Sequence, residues 1–245
     1  MKRLAVLAVL VGTVSPARAQ DRFEIQVYDS TIAPPLGYGM ETHVNHVFAD
    51  VAETHVTFEP HLGVSSWLEL GGYFQTAVRA DGTFDYAGVK LRAKLRLPGA
   101  WDGHIGLAVN TEISAVPERY EENVWGSEVR PIIDLTLGRF YASLNPIVTM
   151  TLRGDLAGHP ALEPAAKVAV VLGSGVAVGV EAYAAVGPVD DLGSEDFFRV
   201  LAAVDWTSPW VDLNFGVGPA WGTADDWVGK LIIGVHPPEA AASAR

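Results

Sequence analysis

From residue 40 onward the chain alternates apolar and polar residues at period two, in runs of about ten, and this pattern leaves few folds open. In an extended strand successive side chains point to opposite faces, so each such run has one oily surface and one polar surface. About ten residues is also the length a tilted strand needs to cross a bilayer. The clearest run is residues 88 to 97, with Val89, Leu91, Ala93, Leu95 and Leu97 on one face and Lys90, Arg92, Lys94 and Arg96 on the other. Just upstream, Leu68, Leu70, Gly72, Phe74, Thr76 and Val78 alternate with Glu69, Gly71, Tyr73, Gln75 and Arg79.

Between these two runs lies Asp81-Gly82, a hairpin signal because a type I′ turn needs positive φ at both central positions. A two-residue turn there sets Glu69 opposite Lys94 and Tyr73 opposite Lys90, so the polar faces coincide. Leu137-Gly138 read the same way pairs Asp134 with Tyr141, Arg130 with Asn145 and Leu135 with Phe140. Gly173-Ser174-Gly175 as a three-residue turn sets Lys167 opposite Glu181 and aligns Val168, Val170 and Leu172 with Val180, Val178 and Val176.

Strands are expected at 40 to 49, 54 to 62, 66 to 79, 84 to 97, 103 to 115, 125 to 137, 139 to 152, 161 to 172, 176 to 186, 195 to 206, 209 to 219 and 226 to 235. Twelve is an even number, as single-chain bacterial barrels require. From the sixth strand onward short turns alternate with longer polar or acidic connections, and such barrels keep the short turns periplasmic. The expected fold is therefore all-β, a closed antiparallel transmembrane barrel over residues 40 to 236. Parity then makes Phe23 to Asp29 one strand too many, and Pro34-Pro35-Leu36-Gly37 separates it from the barrel. Residues 20 to 39 are read as a separate N-terminal segment, periplasmic or lumenal, and residues 237 to 245 as a tail. All seven Trp residues fall near strand ends or in turns, where the two interfaces of a membrane collect indole rings.

The address agrees with this fold. Met1-Lys2-Arg3, an apolar stretch from Leu4 to Val14 and the small-x-small site Ala17-Arg18-Ala19 read as a signal peptide over residues 1 to 19. Its removal leaves 14 basic against 29 acidic residues, a net charge of −15, which argues against nucleic acid as a partner. With no Cys, neither a lipid-modified N-terminus nor a disulfide can form. A mean hydropathy of +0.20 is high for so charged a chain and favours the outer membrane over the rival reading, a soluble periplasmic barrel.

Phe84-Asp85-Tyr86-Ala87-Gly88-Val89-Lys90-Leu91, Trp125-Gly126-Ser127-Glu128-Val129-Arg130-Pro131 and Gly229-Lys230-Leu231-Ile232-Ile233-Gly234 carry a resemblance. Over most of its mature length the chain resembles the uncharacterised outer-membrane β-barrels of Gram-negative bacteria, some grouped with aromatic-degradation pathways. The resemblance implies porin-like transport of a small polar or aromatic solute, with outer-membrane lipid and the barrel-assembly machinery as partners. One departure is that such barrels end in an aromatic residue, whereas here His236-Pro237-Pro238 and an Ala-rich tail follow the last strand.

The inward faces hold Glu69, Tyr73, Arg79, Lys90, Arg92, Lys94, Arg96, Glu112, Glu128, Arg130, Asp134, Glu163, Lys167 and Glu181 as candidate pore-lining residues. Twelve strands enclose more room than the eight whose side chains fill the interior, and less than sixteen-strand open porins. The leading expectation is a passive pore or small-solute transporter in which the basic ladder of residues 90 to 96 faces acidic groups. The alternative is a plugged, non-conducting barrel with a binding or envelope-structural role, its lumen crossed by ion pairs. His43 with Glu41, and His55 and His61 with Glu59, share faces on neighbouring strands and could ligate Zn²⁺ or Cu²⁺, but lumenal hydrogen bonding is expected instead. No enzyme and no cofactor are expected. Ser143 and Asn145 have no His beside them, no G-x-S-x-G run occurs, and Glu128 and Asp134 are six residues apart, roughly 20 Å along a strand.

Overall fold

The computed structural model describes residues 21–49, 52–97, 103–120, 124–154, 157–222 and 227–237. The expected signal peptide, Trp101 and the tail beyond Pro237 lie outside the described residues. The alternating runs form strands β1 (Tyr38–Phe48), β2 (Glu53–Gly63), β3 (Leu68–Val78), β4 (Phe84–Arg96), β5 (Ile105–Ala115), β6 (Trp125–Leu137), β7 (Phe140–Asn145), β8 (Val148–Thr151), β9 (Pro160–Leu162), β10 (Ala165–Gly173), β11 (Val176–Ala185), β12 (Gly187–Pro188), β13 (Phe197–Thr207), β14 (Val211–Trp221) and β15 (Trp227–Val235). Three staves are interrupted. Pro146 and Pro164, which have no N–H to give a ladder, part β7 from β8 and β9 from β10, and Val186 separates β11 from β12.

Joining these pairs gives twelve antiparallel staves, each hydrogen-bonded to its neighbours in sequence, with β1 against β15 completing the ring. Closure removes the unpaired edge that an open sheet would present. No helix among the described residues is long and apolar enough to cross a membrane, and the crossing elements of this fold are strands. Eleven residues, the length of six of these strands, extend about 36 Å, and at a tilt of about 40° they rise about 28 Å, close to the apolar band of an outer-membrane barrel.

The outer surface bears that band. Leu70, Phe74, Leu91, Ile113, Val129, Ile133, Leu144, Val168, Val180, Val204 and Phe215 are all exposed, while the residues between them point inward. Six Trp residues form two rings, with Trp67, Trp206 and Trp210 at the end where β1 begins and β15 stops, and Trp125, Trp221 and Trp227 at the opposite end. We call these the near and far ends. Two-residue and three-residue turns at 138–139, 174–175 and 208–210 lie at the near end, and the longer connections 116–124, 152–159 and 189–196 at the far end.

Registers agree with expectation in two hairpins, but through different turns. Glu69 faces Lys94 and Tyr73 faces Lys90. The turn itself has three residues, because Arg79 N–H donates to Thr83 O and Gly82 N–H to Arg79 O, and Asp81 lacks the positive φ a type I′ turn needs. A bulge at Ala87-Gly88 then restores the register. In the same way Lys167 faces Glu181 across a two-residue Ser174-Gly175 turn, both residues at positive φ, and a bulge at Leu172 absorbs the difference, so Leu172 does not pair with Val176. The third hairpin corrects the expectation. The turn is Gly138-Arg139, so Asp134 faces Ser143, Leu135 faces Ala142 and Leu137 faces Phe140. The shift of two residues left each side chain on its expected face.

A plugged lumen as the candidate functional site

Residues 21 to 35 occupy the lumen. Asp21 and Phe23 lie in its far half, beside Lys90, His55 and Ala77, and the segment runs toward the near rim, where Leu36 N–H donates to Gly63 O. Phe23, Ile25 and Val27 alternate like a strand in sequence, yet this backbone pairs with no strand. Buried main-chain groups must be satisfied somewhere. Here the inward side chains of the barrel do it. Asn45 Nδ2 donates to Arg22 O at 2.9 Å, Thr57 Oγ1 to Phe23 O at 3.0 Å, Lys230 Nζ to Ile25 O at 2.9 Å and Ser143 Oγ to Tyr28 O at 2.6 Å. In the other direction Tyr28 N–H reaches Asn145 Oδ1 at 2.7 Å, Ser30 N–H reaches Asp134 Oδ2 at 2.5 Å and Ala33 N–H reaches Glu69 Oε2 at 2.6 Å.

The plug's apolar side chains fill what remains. Ile25 is fully buried and shares a cluster with Val27 of the plug and with Val47, Ile147, Ala165, Tyr183, Leu201 and Val228, which come from six of the twelve staves. Small inward residues make the room: Phe23 sits against Ala77 and Ala87, and Tyr28 against Ala108 and Ile132. At the far mouth Phe23 is wedged edge-on between His55 and Tyr120, at centroid distances of 4.6 and 5.5 Å. Tyr120 donates to Asp85, which also pairs with Arg79. Partial burial, with the Asp85 carboxylate beside it, raises the pKa of the Tyr120 hydroxyl.

Three ion-pair groups surround the plug. In the first, Lys90 meets Asp21, Glu24 at 3.5 Å and Glu112 at 3.4 Å, while Arg130 meets Glu24 at 3.1 Å and Glu128 at 2.7 Å. Tyr73 donates to Glu112 and shares a hydrogen bond with Tyr28. In the second, Arg92 pairs with Glu59 at 2.5 Å and Glu69 at 2.8 Å, and Lys94 approaches Asp29 at 3.7 Å. The third, on the opposite wall, joins Lys230 and Lys167 to Glu181 at 2.5 and 3.1 Å and Lys167 to Asp205 at 2.6 Å.

Among the residues expected to line a pore, Glu69, Tyr73, Lys90, Arg92, Lys94, Glu112, Arg130, Asp134, Glu163, Lys167 and Glu181 are buried inside the barrel, and Glu128 is half-buried against Arg130. Glu163 accepts a hydrogen bond from Thr149. Arg79 belongs to the far-mouth turn and Arg96 is exposed at the near end of β4, so neither stands in the middle of the lumen. The histidines divide. His43 lies 3.0 Å from Glu59 and 3.6 Å from Glu41, whereas His55 pairs with Glu53 four positions farther along the barrel. Glu41, His43 and Glu59 are close enough to share an ion, but the Arg92 guanidinium already occupies Glu59, an arrangement suited to hydrogen bonding. The sequence put Asn45 and Thr57 on the same faces as the histidines but gave no sign that they, with Lys230, hold the plug, or that Asp212 meets His236 at the near rim.

Below the plug a cavity of about 910 Å³ reaches the near end. Gln26 to Asp29 and Thr31 to Pro34 of the plug form one wall, and Glu41, Glu59, His61, Glu69, Arg92, Lys94, Asp212 and His236 stand around the rest.

A closed twelve-stave barrel with an oily belt, two Trp rings and a charged lumen holding its own N-terminal segment defines the class: a β-barrel of the outer-membrane type. Solved structures of that class resemble it. The COG4313 outer membrane channel from Pseudomonas putida F1 superposes with a TM-score of 0.59 at 11% identity, covering 87% of this chain and 100% of the channel. The KdgM porin, solved with disordered oligogalacturonate, gives 0.54 at 6% identity over 80% of this chain and 98% of the porin. Identities this low show a shared fold. No family model and no curated sequence matches the chain.

Proposed function

We propose that the protein is an outer-membrane channel for small solutes in which residues 21 to 35 stand in the path as a gate. The near end is then periplasmic, the side on which such barrels keep their short turns. The observation that carries this reading is how the plug is held. Its backbone rests on scattered side-chain hydrogen bonds, one each with Asn45, Thr57, Ser143, Lys230, Asp134 and Glu69 and two with Asn145, which water can replace one by one. A segment meant to seal the barrel permanently would be expected to join the sheet or build a larger oily core. The likeness to a channel and a porin supports the reading at the level of fold.

Planar-bilayer recording tests it. The intact protein should conduct weakly, with brief openings. Deleting residues 21 to 35 should raise single-channel conductance several-fold, and Asn145→Leu, which removes two hydrogen bonds to Tyr28, should lengthen the openings. Heat-modifiable gel migration reports whether each variant is folded. A folded deletion variant that conducts no better than the parent overturns the gate and leaves a closed barrel with a binding or structural role.

A further inference from the structure

Gly234 of β15 pairs with Glu41 of β1 on one side and with Asp212 of β14 on the other. All three face the near-end cavity. The glycine leaves a notch there, since a Cβ at this position would reach only ordinary contact with Asp212 Cβ at 3.6 Å and Glu41 Cγ at 3.7 Å. Two strand spacings set the carboxylate-bearing backbones about 10 Å apart.

The charge around this notch is unbalanced. Five carboxylates line the cavity, Asp29, Glu41, Glu59, Glu69 and Asp212, against Arg92 and Lys94, and they remain in excess when the His43 imidazole behind Glu41 and Glu59 is counted as a third cation. Arg92 is committed to Glu59 and Glu69, and Lys94 lies nearest Asp29. Glu41 and Asp212 have only imidazoles and the Gln26 amide as partners. Two buried acceptor oxygens on the cavity, Gln26 Oε1 from the plug and Asp212 Oδ1 from β14, receive no hydrogen bond. Unmet acceptors beside surplus negative charge call for a ligand that brings N–H donors and positive charge.

We infer that the near-end cavity is a binding site for small organic cations bearing amines, with Glu41 and Asp212 as its two anchors and Gly234 as the space between them. The inference rests on the reading of the lumen as a solute path and names the class of solute. A single divalent metal fits less well, because its oxygen ligands must converge to about 2.0–2.6 Å, whereas these carboxylates start from staves with a third between them.

Binding can be measured apart from conductance, by calorimetry on the folded protein in detergent. The probe is 1,4-diaminobutane, with 1,4-butanediol as its neutral counterpart, succinate as the dianion and Ca²⁺ as the metal. Only the diamine should saturate a site. The Glu41→Gln, Asp212→Asn double variant should weaken it tenfold or more, and Gly234→Ala, which introduces no clash, should weaken it several-fold with Tm unchanged. Absence of diamine binding, equal binding of succinate or Ca²⁺, or an undiminished double variant overturns the site. Diamine binding by a protein that never conducts would sink the channel and leave the site standing, while conductance without binding would do the reverse.

Discussion

Arg92 lies over Gly71 and reaches along the wall to Glu69 on β3 and Glu59 on β2, and all three charged residues are buried. Arg92→Met should leave two buried carboxylates without their cation and cost about 3–5 kcal/mol, whereas Arg92→Met combined with Glu59→Gln and Glu69→Gln should cost much less, because no charge is then stranded. Thermal midpoints from heat-modifiable gel migration would check the order, and a triple variant weaker than the single would contradict it. Arg96→Ala, at an exposed position, should shift the midpoint little. The face of each of these residues was legible in the alternation alone. Their partners were legible only within a hairpin, as for Lys167 and Glu181. Arg92 pairs with a β2 residue, and Lys90 and Arg130 with Glu24 far away in sequence, so no local register could find them. Arg79 fell into a turn because parity does not mark where a strand stops.

At the scale of elements, all twelve staves were readable, but the turns were not. The bulge at Ala87-Gly88 did leave a trace: outward residues are even-numbered at Phe84 and Tyr86 and odd-numbered from Val89, so the phase changes across two residues. A slip of two residues, as at Gly138-Arg139, preserves every face and leaves no trace in the pattern. The bulge explains why residue 88 is glycine. Its φ is +135°, and a Cβ there would lie 2.9 Å from Ala115 O. Gly88→Val should therefore lower stability by about 1–3 kcal/mol and shift the β3–β4 register, visible as loss of a disulfide engineered between positions 73 and 90. Conversely, Ser174 holds φ at 53° in a type I′ turn that asparagine suits better, so Ser174→Asn should raise the midpoint, by about 0.5 kcal/mol in stability.

For the whole molecule, parity separated residues 20 to 39 from the wall but could not choose between tail and plug. The main-chain hydrogen bonds that the segment makes to the barrel go to side chains 23 to 205 residues away, which leaves it looking like one more strand. Its place in the lumen makes it part of the electrostatics of the path. The plug brings Asp21, Glu24 and Asp29 against Arg22, a net charge of −2, and its carboxylates are the partners of Lys90, Arg130 and Lys94. Removing residues 21 to 35 therefore does more than widen the path: it takes a carboxylate partner from each of three cations on one wall, leaving Lys90 with Glu112 and Arg130 with Glu128, while the opposite wall keeps Lys167 and Lys230 neutralised by Glu181. If the plug is a gate, cation preference should be stronger in the intact protein's brief openings than in the deletion variant. Reversal potentials in a tenfold KCl gradient should accordingly move toward the anion side on deletion. Lys90→Gln and Lys94→Gln in the deletion background should move them back. An unchanged reversal potential would mean that ions pass along a route the plug does not border.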